Sequence, residues 1–344
     1  MKTVRVAVLG MNHGYGLARV AQGLPGVELV GVAGDNALAA QRAGELNVPL
    51  YGDYKELVSD LPLDAAIIAL PNRLHREATE ICANSGLHVL LEKPIADTVG
   101  DAMEIVKACK EKGVRLLIGH HRRFSNKVRK LKELISSGII GNLVGIAMLW
   151  VVAKDWPYFQ AKWRIGKGGG PLLINGIHDI DNLRYVTGLS IKSVYAATRN
   201  LIRNNPVEDS ASIIMETEEG PTINYFLSDG VPSPWSYELN VGEDKKYVHH
   251  GANCYYFFGA KGSLTFPDLT LYSYREGHYG WYDALVTESF GVAGNDPLID
   301  ELSHFMDVAR GESSPLVTGE DATETLMVLD AITESAIKKQ RIDI

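Results

Sequence analysis

The first third of the chain alternates short apolar runs with amphipathic segments. The predicted strands are Val4–Leu9, Glu28–Ala33, Ala65–Leu70, His88–Leu91 and Arg115–Ile118, and the predicted helices are Tyr15–Gly23, Ala37–Leu46, Leu74–Asn84 and Thr98–Lys112. Strands that are apolar on both faces and alternate with helices are typical of a parallel sheet covered on both sides. The pattern therefore predicts an α/β domain with a doubly wound parallel sheet over residues 1–121.

The pattern changes after His120. The predicted helices there are Phe124–Ser136, Ile174–Val186, Leu298–Ala309 and Ala322–Lys339, and the predicted strands are Leu143–Ala153, Ile191–Asn200, Ser210–Glu216, Thr222–Leu227, Ser236–Val241, Cys254–Gly259, Ser263–Phe266 and Leu269–Tyr274. Consecutive strands without helices between them form an antiparallel or mixed sheet. Residues 122–344 are therefore predicted to form an α+β domain with a large, mainly antiparallel open sheet, which binds substrate and forms the oligomer.

Charge and composition exclude several classes of protein. The chain has 344 residues, a formal net charge of −8 and a pI near 5.7. A nucleic-acid binder or a protein held to anionic lipid would carry a basic face. No apolar run approaches the ~18–20 residues that span a bilayer, and the N-terminus does not have the pattern of a signal peptide. Three widely spaced cysteines fit reduced thiols, so we expect a cytoplasmic protein.

A glycine-rich turn follows the first predicted strand. It reads Gly10-Met11-Asn12-His13-Gly14-Tyr15-Gly16. A turn between a strand and a helix is where a Rossmann domain binds the pyrophosphate of a dinucleotide. The match to G-x-G-x-x-G is imperfect, because Asn12 stands at the second glycine and Tyr15 at the third. We expect Gly10, Asn12, His13 and Gly14 to contact the cofactor, and a plain connector is the alternative.

Asp35 stands after the second predicted strand, 25 residues after Gly10. A carboxylate at this place accepts hydrogen bonds from the adenosine ribose hydroxyls and repels a 2′-phosphate. It therefore favours NAD over NADP. The alternative is that Asp35 caps the helix that begins near Ala37.

Three further segments resemble one family, the glucose–fructose oxidoreductase/inositol dehydrogenase/rhizopine-catabolism (Gfo/Idh/MocA) group. The segments are Leu70-Pro71-Asn72-Arg73-Leu74-His75, Gly86-Leu87-His88-Val89-Leu90-Leu91-Glu92-Lys93-Pro94, and Gly168 through Asp181 with the pattern G-G-G-P-L-L-I-N-G-I-H-D-I-D. The C-terminal stretch from Glu301 to Ala322 is also similar to the family. The resemblance runs over nearly the whole chain.

The resemblance implies an NAD(P)-dependent oxidoreductase that transfers hydride between nicotinamide and a secondary hydroxyl or ketone of a sugar, cyclitol or polyol. It implies that His178 is the general acid/base and that Lys93 stabilises the developing alkoxide and takes part in the proton relay. The alternatives are a surface lysine that pairs with Glu92, and a helical histidine bonded to a neighbour.

One position departs from the family pattern. Ile174 stands where the family has an aspartate four residues before the histidine, and an isoleucine cannot bind a hydroxyl. On a helix, Asn175 shares a face with His178, as does Asp181. We expect Asn175 to take over hydroxyl recognition, and His178 to work with Lys93 alone.

The remaining candidates rest on family position or on spacing. The expected cofactor contacts are Leu70, Pro71, Asn72, His75, Glu92, Lys93, Arg122 and Arg164; the expected substrate contacts are Asn175, Arg123, Trp163, Tyr158 and Asp181. Arg122 and Arg123 fit an anionic substrate group, and salt bridges at a helix start are the alternative.

No metal is expected, because adjacent histidines point apart and no zinc motif is present. An open sheet with an apolar face predicts a homodimer or homotetramer formed through that face. Two alternatives to a sugar or polyol dehydrogenase stay open. One is a cofactor-binding sensor with impaired catalysis, and the other is a relative acting on a dihydrodiol or hydroxy acid.

Overall fold

The computed structural model describes residues 3–166 and 168–344 and forms two compact units. The first unit runs to His121 and includes Pro297–Leu326, and the second consists of Arg122–Asp296 and Met327–Ile344. A single division after residue 121 therefore misplaces Pro297–Leu326. The reason is packing, since Leu302, Phe305 and Met306 are buried in the core of the first unit.

The first unit contains a six-stranded parallel sheet in the order β3-β2-β1-β4-β5-β6 among the described residues. Its elements are β1 (Val4–Leu9), α1 (Gly14–Gly23), β2 (Val27–Ala33), α2 (Ala37–Leu46), β3 (Leu50–Tyr51), α3 (Tyr54–Asp60), β4 (Ala65–Ile68), α4 (His75–Asn84), β5 (His88–Glu92), α5 (Val99–Glu111) and β6 (Leu116–Gly119). The order reverses direction at β1, as in a doubly wound sheet. This confirms the fold class predicted for the N-terminal domain, to which the structure adds β3 and α3.

The second unit contains a nine-stranded sheet in the order β14-β13-β12-β11-β7-β10-β9-β8-β15 within the described ranges. The elements that follow β6 along the chain are α6 (Asn126–Ser136), β7 (Leu143–Val151), α7 (Ile177–Thr187), β8 (Ile191–Arg199), β9 (Ser210–Thr217), β10 (Thr222–Ser228), α8 (Glu238–Val241), β11 (Tyr255–Gly259), β12 (Gly262–Phe266), β13 (Thr270–Ser273), β14 (Val286–Ser289), α9 (Pro297–Arg310), α10 (Gly319–Lys338) and β15 (Ile342–Asp343). Only β7 and β10 pair in parallel, and the other neighbouring strands of this sheet are antiparallel. The prediction of a large, mainly antiparallel sheet is confirmed.

Side chains alternate between the two faces of this larger sheet. One face is buried and includes Trp150, Tyr225 and Phe257. The other face leaves several apolar side chains more than one third exposed, namely Tyr195, Ile214, Phe226 and Phe258. A period of two along each strand produces this division, and half of the sheet surface is left without apolar cover in the single chain.

Two predicted elements differ in the structure. The predicted strand Ser236–Val241 is wrong, because Glu238–Val241 forms a short helix. Ser236 Oγ accepts from Leu239 N at 3.4 Å and Asn240 Nδ2 donates to Ser236 O at 2.8 Å, and these local bonds compete with a strand ladder. The predicted helix that contains His178 begins with a π-helical turn, Leu172–Gly176, before α7.

Candidate active site

The glycine-rich turn joins β1 directly to the N-terminus of α1. Gly10 has a φ of +97°, and a Cβ there would overlap the carbonyl oxygen of Ala69. A Cβ on Gly14 would lie 2.8 Å from Val8 Cγ1. No side chain caps the first turn of α1, and both Asn12 and His13 are exposed. The first N–H groups of α1 therefore have no side-chain cap, which is the usual arrangement for an anion at a helix N-terminus.

Arg42 on α2 donates hydrogen bonds to the backbone of this turn, and it was not among the residues predicted from the sequence. Its Nη1 donates to the carbonyl oxygens of Met11 and Asn12, at 2.5 and 3.0 Å. The guanidinium also lies 4.9 Å from the centre of the Tyr15 ring. Arg42 therefore fixes the backbone at Asn12, the residue that stands at the second glycine position of the motif. No local pattern in the sequence connects Arg42 with the turn.

Asp35 follows β2 and is exposed. The helix-capping alternative for this residue is wrong, because Asn36 is the N-cap and its Oδ1 accepts from Ala39 N at 2.9 Å. The carboxylate of Asp35 is therefore not used in capping α2, and it lies at the end of the strand next to β1.

Glu92 ends β5 and joins the glycine-rich turn to the segment that carries Lys93. His13 Nε2 lies 3.2 Å from Glu92 Oε1, and Lys93 N donates to Glu92 Oε2 at 3.2 Å. Burial by itself raises the pKa of Glu92, but His13, Lys93 and His121 outweigh it and lower the pKa to about 2. Glu92 is therefore a carboxylate at neutral pH, and it positions the Lys93 backbone. The Lys93–Pro94 peptide is cis.

His75 connects two loops at the same end of this sheet. Its Nδ1 lies 2.9 Å from Pro94 O and its Nε2 lies 2.9 Å from Leu70 O. Burial lowers the pKa of His75, and the two carbonyl contacts raise it by less. A histidine that is 1% exposed between two backbone carbonyls is a positioning residue, which corrects the expected direct cofactor contact. Pro71 and Asn72 follow β4 and stay at least partly exposed.

Arg122 lies in a buried ion network in the second unit. Its Nη1 donates to Asp179 Oδ1 and its Nη2 to Glu238 Oε1, both at 2.6 Å. Asp179 also accepts from the hydroxyls of Tyr225 and Tyr255, and Glu238 from Trp150 Nε1 at 2.8 Å, so several donors share each carboxylate. Burial lowers the pKa of Arg122, but the two carboxylates outweigh it and raise the pKa well above its ordinary value.

Arg123 forms a bidentate pair with Asp181, with Nε–Oδ2 and Nη2–Oδ1 distances of 2.9 and 2.6 Å. Arg123 is 3% exposed and Asp181 is 1% exposed. Both Arg122 and Arg123 form salt bridges, which was the alternative to anion binding given for them. For Arg122, Arg123 and Asp181 this corrects the expected ligand contact to a role in positioning α7.

His178 lies on α7 and is 8% exposed. Its neighbour in sequence, Asp179, lies in the Arg122 network, and Asp181 lies in the Arg123 pair. Two ion pairs therefore fix the first turns of the helix that carries the predicted acid/base.

A second polar cluster surrounds Asn175 in the π-helical turn. Lys154 Nζ lies 2.7 Å from Asn175 Oδ1 and 3.4 Å from Tyr158 Oη. Arg164 Nη1 donates to Tyr158 O at 2.8 Å, and its guanidinium lies 4.0 Å from the centre of the Tyr158 ring. The structure thus brings together the predicted residues Tyr158, Asn175 and Arg164. Trp163 is 60% exposed at the edge of this segment.

Within residues 3–166 and 168–344, no group of three or more histidine, cysteine or acidic side chains is arranged to hold a metal ion. No helix in the same ranges has the length and apolar character needed to cross a membrane.

Comparison with known proteins identifies the class to which this fold and these residues belong. Residues 4–120 match the model of the oxidoreductase family with an NAD-binding Rossmann fold, and residues 128–265 match the GFO/IDH/MocA C-terminal domain. The chain therefore belongs to the GFO/IDH/MocA family of nicotinamide-dependent oxidoreductases, and the resemblance stated from the sequence is confirmed.

Individual relatives cover nearly the whole chain. The chain is 29% identical to the scyllo-inositol 2-dehydrogenase (NAD(+)) of Bacillus subtilis, over 96% of this chain and 94% of the relative. It is 24% identical to the scyllo-inositol 2-dehydrogenase (NADP(+)) of the same organism, over 99% and 96%. The crystal structure of myo-inositol 2-dehydrogenase from Lactobacillus plantarum has a TM-score of 0.81 and 22% identity, and covers 100% of both chains. Relatives thus include both NAD and NADP enzymes.

The residues of the first unit fit a dinucleotide. Gly10 has a positive φ and packs against the Ala69 backbone, so the chain can make the tight turn into α1, and the uncapped N-terminus of α1 suits a pyrophosphate. When bound, the nicotinamide group accepts or supplies a hydride.

Proposed function

We propose that this protein is an NAD(P)-dependent dehydrogenase that interconverts a secondary hydroxyl and a ketone on a sugar, cyclitol or related polyol. The observation that carries the proposal is the set formed by the uncapped turn at Gly10, the carboxylate of Glu92 and the adjacent Lys93, at one end of a parallel sheet. Ligands of open α/β sheets bind at this carboxyl end.

The proposed cofactor contacts follow the turn and the neighbouring strand ends. They are Gly10, Asn12, His13, Gly14, Asp35, Leu70, Pro71, Asn72, Glu92 and Lys93. Gly10 and the start of α1 hold the pyrophosphate, while Asp35 accepts from the ribose hydroxyls. Because Asp35 is exposed and does not cap α2, we propose NAD as the preferred cofactor.

The proposed chemistry divides between Lys93 and His178. During oxidation, the substrate carbon loses a hydride and the hydroxyl proton passes to the imidazole of His178. The ammonium of Lys93 stabilises the oxygen as negative charge develops on it. During reduction, His178 returns the proton to that oxygen.

Steady-state kinetics with a panel of inositols and aldoses tests this assignment. We expect His178→Asn and Lys93→Met each to lower kcat by about 10²–10⁴-fold while cofactor affinity changes much less for His178→Asn. A matched control is His278→Asn, an exposed histidine of the second unit paired with Asp283. Cofactor binding without turnover of any panel member would favour the sensor alternative. If His178→Asn kept its turnover, the assignment of His178 as the general acid/base would be wrong.

Cofactor preference is measured separately, by titrating the protein with NAD(H) and NADP(H). We expect tighter binding of NAD, and Asp35→Ser is expected to narrow the difference by about tenfold, because one charge repulsion is removed. Equal affinities in the unaltered protein would contradict the preference.

We also propose a cytoplasmic homodimer or homotetramer formed through the exposed face of the nine-stranded sheet. The support is the apolar surface that includes Ile214 and Phe226, and the three buried free cysteines fit a reducing compartment. Sedimentation should give more than one chain per particle, and Ile214→Lys should dissociate it. A monomer at all concentrations would contradict this.

A further inference from the structure

Arg42 connects the helix α2 to the glycine-rich turn that follows β1. Its Nη1 donates to Met11 O at 2.5 Å and to Asn12 O at 3.0 Å. The two carbonyl groups are consecutive along the chain, so one guanidinium nitrogen holds two successive peptide groups of the turn. Hydrogen bonds from a charged donor are stronger than those from a neutral one. The backbone of the turn therefore depends on a side chain from a different element.

Small residues let α2 approach the turn closely enough for this contact. The buried face of α2 includes Ala39 and Ala43. A Cβ on Gly34 would lie 2.6 Å from Ala39 Cβ and 3.4 Å from Met11 Cβ. A larger side chain at Gly34 would push α2 away from the turn, because packed interiors have no spare room. The reach of Arg42 to the turn is thus built into the sequence of the β2–α2 connection.

The same guanidinium contacts the residue at the third glycine position of the motif. Its carbon Cζ lies 4.9 Å from the centre of the Tyr15 ring, a distance at which a cation and a ring face attract each other. Tyr15 Oη donates to Glu45, whose other oxygen accepts from Gln41 Nε2 at 2.9 Å. The ring is therefore fixed at its far end. Asn12 and Tyr15, the two departures from G-x-G-x-x-G, both contact Arg42.

Glu45 is the acidic side chain that faces this group. The hydrogen bonds from Tyr15 and Gln41 lower the pKa of Glu45 most, burial raises it, and the charges of Arg42 and Arg19 lower it further. Glu45 thus offsets part of the positive charge of Arg42 while its oxygens accept from neutral donors. What distinguishes Arg42 from Arg19 is therefore its bonding to the carbonyl groups of the turn.

The N–H sides of the two peptide groups face away from Arg42. Both peptide groups are trans, and a planar trans peptide directs its N–H opposite to its C=O. The Asn12 and His13 N–H groups therefore lie on the side of the turn away from the guanidinium. Asn12 is exposed, and its N–H has no acceptor in the part of the chain that the structure describes. This side of the turn can receive a ligand that accepts hydrogen bonds.

From this geometry we propose that Arg42 determines cofactor affinity through the turn, by fixing and polarising the Asn12 and His13 N–H groups that bind the pyrophosphate. A carbonyl that accepts a hydrogen bond makes the N–H of its own peptide group a stronger donor. Arg42 is thus a positioning residue that lets Asn12 and Tyr15 stand where the motif has glycines. The inference rests on the proposed cofactor contacts and adds a residue to which they give no role.

Two probes test this role, ADP-ribose, which contains the pyrophosphate, and adenosine, which does not. Their dissociation constants are measured by calorimetry and by ligand-observed NMR. We expect Arg42→Met to weaken ADP-ribose binding by about tenfold and adenosine binding by less than about twofold, because the hydrogen bonds that hold the turn are lost. Arg42→Lys keeps the charge and a donor, so it should recover part of the ADP-ribose affinity.

Arg19→Met is the matched control, because Arg19 is exposed on α1 and lies 5.9 Å from the centre of the same Tyr15 ring. It should leave both dissociation constants unchanged. Tyr15→Leu removes the ring that orients Arg42, and it should weaken ADP-ribose binding by about threefold. In the Arg42→Met background, Tyr15→Leu should cause no further loss, since the ring acts through the guanidinium.

An unchanged affinity for ADP-ribose in Arg42→Met overturns the inference. An equal loss for ADP-ribose and adenosine also overturns it, because the effect would then lie outside the pyrophosphate. Thermal unfolding without ligand shows whether each variant is folded. If Arg42→Met does not fold, the ratio of the two dissociation constants in Arg42→Lys and Tyr15→Leu decides, and an unchanged ratio in both overturns the inference.

These titrations contain no substrate, so they separate this inference from the proposed function. A selective loss of ADP-ribose binding in Arg42→Met, in a protein that turns over no inositol or aldose, supports the role of Arg42 and refutes the dehydrogenase. Turnover of a panel member with the same KM for the cofactor in Arg42→Met and in the unaltered protein supports the dehydrogenase and refutes the role of Arg42.

Discussion

Arg122 in the second unit and Glu301 in the first unit are buried with opposite amounts of hydrogen bonding. In the second unit, Arg122 and Asp179 are almost fully buried, and each has at least two partners of opposite charge or donor type. In the first unit, Glu301 is 0% exposed on α9, and neither of its carboxylate oxygens has a hydrogen-bond partner among the described residues. The polar groups around Arg122 are hydrogen-bonded to one another, whereas the carboxyl group of Glu301 has no hydrogen bond among the described residues.

In the Arg122 network the carboxylates of Asp179 and Glu238 each accept from more than one donor, and the network fixes α7, so its contribution is to position His178. Burial raises the pKa of Glu301, and the charge of Glu92 raises it further, so the two carboxyl groups interact unfavourably. Glu92 itself is ionised and bonded to His13 in the glycine-rich turn. The first unit thus contains one destabilising carboxyl group, that of Glu301, which interacts with the Glu92 carboxylate used in the proposed function.

The largest effect is expected from Arg122→Met. The change leaves the buried Asp179 and the partly buried Glu238 without their cation, so we expect a loss of about 3–5 kcal/mol in the free energy of unfolding of the second unit. Denaturant unfolding followed by tryptophan fluorescence measures it. Arg76→Met is the matched control, because Arg76 also has two carboxylate partners, Glu80 and Asp101, but on the surface. It should cost about 1 kcal/mol or less. Equal losses would contradict the contrast between a buried network and a surface pair.

Sequence patterns were sufficient for the sheets and insufficient for this network. Apolar periodicity predicts both sheets because burial of one or both faces of a strand is a local, repeating property. The pairing of Arg122 with Glu238 joins residues 116 positions apart, and no local pattern encodes it. The spacing of Arg122 and Arg123 therefore left anion binding and salt bridges equally open.

A smaller effect of opposite sign is expected from Glu301→Met. In the unfolded chain, a glutamate loses its proton above about pH 4, whereas the raised pKa of Glu301 keeps the folded group protonated. Stability is therefore lost as pH rises from about 4 towards the folded pKa. The methionine removes a buried, unsatisfied carboxyl group and should stabilise the first unit by about 1–3 kcal/mol at pH 7.

Thermal unfolding between pH 4 and 8 measures this gain, which should shrink towards pH 4. Glu312→Met, at an exposed position of the same unit, is the control and should change stability by about 0.5 kcal/mol or less at every pH. A gain that does not depend on pH would point to packing alone and contradict the titration argument.

The candidate site was predictable where it follows the chain and unpredictable where it depends on long-range contacts. Lys93, His178 and Asn175 were identified from motifs that run along the sequence. Arg42 and the orientation of Asn175 were not, because each depends on a partner more than 20 residues away. The π-helical turn also escaped prediction, because the five residues Leu172–Gly176 are too few to reveal a change of helical period.

The smallest effect is expected from His13→Gln. The lowered pKa of Glu92 means that its contribution to stability is complete above the unfolded pKa and is lost as pH falls towards about 2. Removing the imidazole raises the pKa of Glu92, so the acid-unfolding midpoint should move to higher pH. His13 is 66% exposed, so the loss should stay within about 1 kcal/mol. His278→Gln, which removes an exposed histidine from Asp283, should leave the midpoint unchanged. An unchanged midpoint in His13→Gln would mean that Lys93 and His121 alone keep Glu92 ionised, and that the glycine-rich turn and the Lys93 segment are not coupled through this carboxylate.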